Sequence, residues 1–176
     1  MRYSRRRVIA AAAVTALAGC LGQDDGSPTP TDDPVIEARA ASFSPVWLPV
    51  EVGTTVTVEH QAGDHTVTLF HADNDVPHRA PDAATAFDRE LTSGSVSITV
   101  DHEGVYGIFC RPHASAGMAT AVVAGTPTED DPGLAPAQDE LTDAMRDQLD
   151  GISADIRNAY GLNGDSNAGN GGGPGY

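Results

Sequence analysis

The chain has 176 residues, of which 25 are acidic and ten are basic, all of them arginine, for a formal net charge of −15. This length suits one domain of ordinary size with appendages and excludes a large multidomain enzyme. The acidic excess argues against binding to nucleic acid or to an anionic membrane surface, because both depend on basic residues. Two cysteines allow at most one disulfide, which excludes a disulfide-stapled mini-protein.

Residues 1–19 are predicted to be an export signal rather than part of the fold. Three arginines, Arg5 to Arg7, precede an apolar run from Val8 to Ala18. The run is shorter than the ~20 residues that a membrane-spanning helix needs. A basic start followed by a short apolar run is typical of a secretory signal, and the paired arginines resemble a twin-arginine signal. An ordinary secretory signal is the alternative.

The segment Leu17–Cys20 resembles a lipobox, in which cleavage precedes the cysteine and lipid is attached to its sulfur. Cys20 is therefore the expected lipid attachment site, holding the protein to the outer face of the cell membrane, unless the signal is plain and this cysteine incidental. Residues 20–34 are rich in aspartate and proline and are predicted to be a disordered linker. A lipidated Cys20 would leave Cys110 as a lone thiol in an oxidising compartment.

Removal of residues 1–19 makes the net charge more negative, because six arginines and all 25 acids remain, which gives −19. Concentrated salt screens the repulsion between such carboxylates. The acidic, lysine-free composition therefore indicates a halophilic setting.

Residues 35–125 alternate between apolar and polar side chains in short runs separated by glycine and proline, which predicts a β-sandwich or barrel. A turn at Gly53-Thr54 predicts either a hairpin or a tight corner. His65, Val67 and Leu69 share one face of a predicted strand. Residues 70–91 are less regular and are predicted to form a long loop, with a short helical turn within residues 83–87.

A set of four side chains suggests a metal site. Cys110, His113 and Met118 follow the spacing Cys-x₂-His-x₄-Met in one predicted loop, and His65 stands far upstream at the head of a strand. Each residue alone is weak evidence. Together, two imidazoles, one thiolate and one weak thioether match the ligand set of a mononuclear blue (type 1) copper site. In this prediction Met118 is the axial ligand that tunes the reduction potential.

Residues 35–125 resemble the plastocyanin-type cupredoxins, and more specifically the halocyanin-like blue copper proteins of haloarchaea. The resemblance rests on the segments 43–53, 64–67 and 106–118, and residues 70–88 resemble an insertion found in some haloarchaeal members. It implies an all-β, Greek-key sandwich of about eight strands, with copper between the loops at one end. It also implies that His113 lies near the surface, within an apolar patch, as the port for electrons.

One position departs from this resemblance. Many relatives carry an asparagine a few residues before the first histidine ligand, where this chain has His60. Three interpretations remain open for His60: a loop residue, a hydrogen-bond donor behind a ligand, or a rival ligand.

The C-terminal part divides into three predicted segments. Residues 126–137 form an acidic, proline-rich linker, residues 138–162 an amphipathic helix, and residues 163–176 a disordered tail rich in glycine and asparagine. The apolar side chains of the predicted helix recur at steps of three and four residues, which gives one apolar face. That face covers the sandwich, binds a partner or a second copy, or stays exposed.

The resulting hypothesis is a non-enzymatic, monomeric one-electron carrier on the outer face of the cell membrane, which exchanges electrons with redox proteins of a membrane electron-transport chain. It binds no nucleic acid and contacts the membrane only through its lipid. A copper enzyme is disfavoured, because Phe109 and Arg111 flank Cys110 where electron-relaying histidines would stand. A copper carrier or store, or a non-redox interaction module on the same scaffold, is the alternative.

Overall fold

The computed structural model describes residues 28–163. The predicted export signal, the lipid attachment at Cys20 and nearly all of the predicted tail lie outside these residues. Nine strands and one helix form a two-layer β-sandwich with the helix outside one layer. They are β1 (Val35–Arg39), β2 (Ser42–Ser44), β3 (Trp47–Val50), β4 (Thr54–His60), β5 (His65–Leu69), β6 (Asp88–Leu91), β7 (Ser95–Val100), β8 (Gly104–Phe109), β9 (Ala119–Ala124) and α1 (Asp143–Ala159).

The predicted β-sandwich is confirmed, with nine strands where about eight were expected. One sheet has the order β2-β1-β4-β7 and the other the order β3-β9-β8-β5-β6. β1 pairs with β4 and β3 with β9 in parallel, whereas the remaining pairs are antiparallel. Because β3 and β4 belong to different sheets, the turn at Gly53 is a corner rather than a hairpin. Within residues 28–163, no helix combines the length and the apolarity needed to cross a membrane.

The main core lies between the two sheets. β4 contributes Val56 and Val58 to this core, and β5 contributes Val67 and Leu69. β8 and β9 differ, because all six residues of each strand are buried. Strands that are buried on both faces need a covering layer on each side.

The C-terminal segment supplies the second covering layer. A second core on the outer face of the five-stranded sheet joins residues of β8 and β9 to the apolar face of α1. Its buried helix residues are Met145, Leu149, Ile152 and Ile156. The apolar face of the helix therefore covers the sandwich, which was the first of the three possibilities.

The helix is shorter than the predicted span of 138–162. It begins at Asp143 because the Oγ1 of Thr142 caps it, accepting a hydrogen bond from the N–H of Met145 at 3.3 Å. It ends at Ala159, two residues before Gly161 takes a positive φ of 66°. Within the predicted linker 126–137, residues Pro132–Leu134 form a 3₁₀ turn, and Leu134 is buried in the second core.

The predicted long loop, residues 70–91, is more ordered than its sequence suggested. Its last residues form β6, which pairs with β5, and a 3₁₀ turn forms at Ala72–Asn74. No helical turn forms at residues 83–87, where the sequence predicted one. The Nδ2 of Asn74 holds the two ends of this region together by donating to the carbonyls of Leu69 (2.8 Å) and Phe87 (3.0 Å).

Arg79 connects this loop to the C-terminal segment. Its side chain is fully buried, and its guanidinium donates to the carbonyls of Ala135 (2.6 Å) and Gly133 (2.9 Å) and to the Oγ of Ser153 (3.3 Å). Burial lowers the pKa of Arg79 below its ordinary value, and the nearby charge of Asp150 opposes this effect.

Candidate metal centre

Three side chains converge at one end of the sandwich. His65 is the first residue of β5, Cys110 directly follows β8, and His113 lies in the loop before β9. The Sγ of Cys110 is 3.3 Å from the Nδ1 of His113 and 3.6 Å from the Nδ1 of His65. All three potential donor atoms lie within 4.8 Å of one another, and residues 28–163 contain no other group of three or more His, Cys, Asp or Glu so arranged.

His65 is held in a fixed orientation. Its side chain is buried, and its Nε2 lies 2.6 Å from the carbonyl oxygen of Ala62. Since a carbonyl oxygen only accepts hydrogen bonds, Nε2 carries the proton and the lone pair of Nδ1 faces Cys110. A hydrogen bond of this kind on the far nitrogen commonly orients a metal-binding histidine.

The sulfur of Cys110 is buried and receives a backbone hydrogen bond. The N–H of Thr66 points to Sγ at 3.5 Å, and Cys110 is a free thiol. A buried lone thiol between two imidazoles is the arrangement expected of a metal ligand.

A closed ring of hydrogen bonds lies beside this cysteine. The N–H of Arg111 donates to the Oγ1 of Thr66 (2.9 Å), which lies 2.8 Å from the Oγ1 of Thr68. Thr68 donates to the Oδ1 of Asp88 (2.8 Å), and the Nε of Arg111 donates to the Oδ2 of the same carboxylate (2.7 Å). The ring fixes the residues on both sides of the Cys110–Thr66 contact. No pattern in the sequence indicates this ring, because it depends on the pairing of Thr68 with Asp88 across β5 and β6.

His113 differs from His65 in being only partly buried. It precedes a 3₁₀ turn at Ala114–Ala116, and its carbonyl accepts hydrogen bonds from the N–H of Ala116 (3.0 Å) and of Met118 (3.3 Å). Gly117 ends the turn with a φ of 73°, a conformation that favours glycine. The centres of the His65 and His113 rings are 5.0 Å apart.

Met118 lies beside the three converging side chains. Its carbonyl accepts a hydrogen bond from the N–H of Cys110 at 3.0 Å, and its side chain is buried in the same core cluster as Cys110. The structure thus brings all four predicted residues to one end of the sandwich.

His60 is the last residue of β4, and its ring lies next to that of His65. Its Nε2 is 2.5 Å from the carbonyl oxygen of Gly63, and its ring centre is 6.1 Å from that of His65. It is not one of the three side chains whose donor atoms converge.

Comparison with known proteins supports the chemistry suggested by these donors. Residues 33–125 match the family model of copper binding proteins, plastocyanin/azurin family. This protein belongs to the plastocyanin/azurin family. It is 30% identical over 126 residues to the chloroplastic plastocyanin of Hordeum vulgare, covering 69% of this chain and 79% of that one. It is 34% identical over 84 residues to the plastocyanin of Scenedesmus fuscus, covering 47% and 85% of the respective chains.

Solved structures agree with this cupredoxin at the level of the fold. Native pseudoazurin from Hyphomicrobium denitrificans superposes with a TM-score of 0.58 at 22% identity, over 70% of this chain and 98% of that one. Pseudoazurin from Methylobacterium extorquens gives a TM-score of 0.52 at 21% identity, over 71% and 99% of the two chains.

Copper is the cofactor of this cupredoxin, and the residues of the site fit it. Two imidazole nitrogens and a thiolate sulfur suit both Cu(I) and Cu(II), and a thioether nearby is typical of blue copper sites. His65, Cys110 and His113 are the candidate ligands.

Proposed function

We propose that this protein is a blue copper one-electron carrier in which His65, Cys110 and His113 bind a single copper ion and Met118 is its axial ligand. The observation that carries the proposal is the convergence of two Nδ1 atoms on one buried sulfur, at 3.3 and 3.6 Å. Copper bound there would supply a reversible one-electron couple between Cu(II) and Cu(I).

The protein's own contribution is to hold the donors still. His65 and Cys110 are buried, and hydrogen bonds from Thr66 and to Ala62 fix their orientation. Little rearrangement between oxidation states favours fast electron transfer. His113 is only partly buried and is therefore the proposed port. In the two loops beside it, the exposed residues Ala62, Pro112 and Ala116 carry no charge and suit close approach by a redox partner, whereas Asp64 and Arg111 of the same loops are charged and exposed.

The proposed location is the outer face of the cell membrane of a halophilic cell. The twin-arginine-like motif and the lipobox-like segment ending at Cys20 support export and lipid anchoring, and the acidic, lysine-free composition supports the habitat. These features and the segments around the ligands also support a halocyanin-like member of the family.

Copper loading of the full chain, followed by a potential titration, tests this function. We expect an intense blue colour, from charge transfer between thiolate and Cu(II), that disappears and returns over a reversible one-electron step. A colourless copper complex would refute the proposed site. A complex that releases its copper on reduction would instead indicate a copper carrier or store.

Replacing each of the two cysteines separates the proposed roles. Cys110→Ser should abolish the blue colour completely, because a hydroxyl cannot supply thiolate donation. Cys20→Ser is the matched control: it should keep the full colour and release the protein from the membrane fraction of cells that export it. Visible spectra and cell fractionation measure both effects. A blue Cys110→Ser protein, or a Cys20→Ser protein that stays membrane-bound, would contradict the assignments.

Replacing Met118 tests the axial role. Met118→Leu keeps a similar volume and should therefore cost less than about 1.5 kcal/mol of stability. It should retain the blue colour and raise the reduction potential, because the lost sulfur stabilises Cu(II) more than Cu(I). A potential titration of both proteins measures the change, and an unchanged potential would remove Met118 from the ligand set.

A further inference from the structure

The N-terminal end of α1 lies directly against the loop that carries His113 and Met118. The Oγ1 of Thr142 donates a hydrogen bond to the carbonyl of Ala114 at 3.2 Å and accepts one from the N–H of Met145 at 3.3 Å. One hydroxyl thus caps the helix and ties the loop to it.

The two backbones also approach each other closely at Gly117. A Cβ atom at this position would lie only 2.4 Å from the carbonyl oxygen of Ala144. Two reasons therefore require glycine at position 117: its φ is positive, and its backbone contacts the first turn of α1. Because glycine has no side chain, the backbone of the loop packs directly against the backbone of the helix.

The Ala114 carbonyl that accepts this hydrogen bond lies in the middle of the loop between Cys110 and Met118. The oxygen of Ala114 also accepts the N–H of Gly117 at 3.1 Å, which closes the 3₁₀ turn. His113 directly precedes this turn and Met118 directly follows Gly117, and a hydrogen bond joins the carbonyl of His113 to the N–H of Met118. A displacement of the Ala114 carbonyl would therefore move both residues.

The helix itself is firmly fixed to the domain. Its buried residues form the second core against β8 and β9, and the Nε2 of Gln148 donates to the carbonyl of Ala119 at 3.4 Å. The guanidinium of Arg79 also donates to the Oγ of Ser153 within α1, and to the carbonyls of Gly133 and Ala135 in the segment that precedes the helix. α1 is thus a rigid support from which Thr142 reaches the loop.

We propose that Thr142 is a positioning residue of the copper site, which fixes His113 and Met118 through the carbonyl of Ala114. The proposal rests on the proposed copper site and extends it to a residue of the C-terminal segment. Thr142 makes no hydrogen bond to His65, Cys110, His113 or Met118, so its effect is on the geometry of the site and hence on its spectrum and potential.

The obvious variant, Thr142→Val, removes both hydrogen bonds and so also weakens the helix cap. Gly151→Ala compensates for this loss. Gly151 is exposed in α1, nothing lies within 4 Å of a Cβ placed there, and alanine favours the helix. The test therefore compares the double variant Thr142→Val/Gly151→Ala with Gly151→Ala alone, and uses Thr142→Ser to restore the hydroxyl.

We expect the double variant to melt near the wild-type temperature but to show a shifted reduction potential, altered relative intensities of its visible bands and altered copper hyperfine splitting. Gly151→Ala and Thr142→Ser should match the wild type in all three. In the copper-free proteins, amide exchange at Gly117 and Met118 should be about fivefold faster in the double variant than in Gly151→Ala, as for loss of one hydrogen bond.

The outcomes separate this inference from the proposed function. A wild-type protein that never turns blue refutes the copper site, whatever the amide exchange shows. If the wild type is blue and the double variant has the spectrum and potential of Gly151→Ala, the positioning role is refuted, even where amide exchange accelerates. A shift in spectrum and potential that Thr142→Ser reverses supports it.

Discussion

Arg79 is completely buried, and none of the carboxylates in residues 28–163 forms an ion pair with it. Burying a charge without a counter-ion is costly unless hydrogen bonds compensate for the lost water. Two backbone carbonyls and one serine hydroxyl provide that compensation for the two terminal nitrogens, while the buried Nε has no hydrogen-bond partner within residues 28–163. All three acceptors belong to the C-terminal segment. One side chain thus connects the 70–91 loop to the layer that supports the ligand loop.

Arg79→Ala should lower the free energy of unfolding by about 3 kcal/mol, because it leaves a cavity and deprives three acceptors of their donor. Urea unfolding of the copper-free protein measures this loss. Arg89→Ala is the control: Arg89 is exposed on β6, so its removal should change stability by less than about 0.5 kcal/mol. Equal unfolding midpoints for the two variants would contradict the structural role of Arg79.

At the scale of elements, strands with clear alternation could be predicted from the sequence. β5 buries His65, Val67 and Leu69 on one face, as its pattern predicted. β6 could not be predicted, because only Leu91 of its four residues is buried and an exposed edge strand has no apolar alternation. The start of α1 was misplaced by five residues because the apolar spacing begins before the residue that caps the helix.

The candidate site also has features that the sequence predicts and features that it does not. The convergence of Cys110 and His113 could be predicted because their spacing lies within one loop. His65 could be predicted because it completes the ligand set of a blue copper site and lies in a segment, residues 64–67, that resembles the family's first ligand segment. Two other features join segments that are distant in sequence. They are the hydrogen-bonded ring of Thr66, Thr68, Asp88 and Arg111 and the contact between Thr142 and Ala114. Only the tertiary structure brings those partners together.

The helix α1 also carries a prediction of its own. Ile156 is fully buried in the second core, so Ile156→Ala should cost about 3 kcal/mol of stability by leaving a cavity. The neighbouring Asp155 is exposed, and Asp155→Ala should have little effect. Urea unfolding distinguishes the two. A loss below about 1 kcal/mol for Ile156→Ala would show that the helix does not rest on the sheet in solution.

At the scale of the whole molecule, the charge is almost all of one sign. The chain from residue 20 onward carries six arginines and 25 acids, and two arginines, Arg111 and Arg146, account for most of the arginine–carboxylate pairs within residues 28–163. Most carboxylates therefore repel one another across the surface. Self-repulsion of this kind destabilises the compact state, and salt reduces it.

The midpoint of urea unfolding should consequently rise as sodium chloride is increased from about 0.01 M, where the screening length is ~30 Å, to about 1 M, where it is ~3 Å. Sucrose at matched osmolality is the control, because it does not screen charge. A midpoint that is independent of salt, or that rises as much in sucrose, would show that surface repulsion does not limit stability.

The parallel pairing of β3 with β9 also determines when this protein can fold. Trp47 of β3 lies opposite Ala121 of β9, and β9 occupies the position between β3 and β8 in its sheet. An early strand therefore has no partner until a strand some seventy residues later has been made. Closing so long a loop is slow compared with local pairing. We therefore expect β3 to stay unpaired during synthesis until the chain has passed residue 124, when the five-stranded sheet can close.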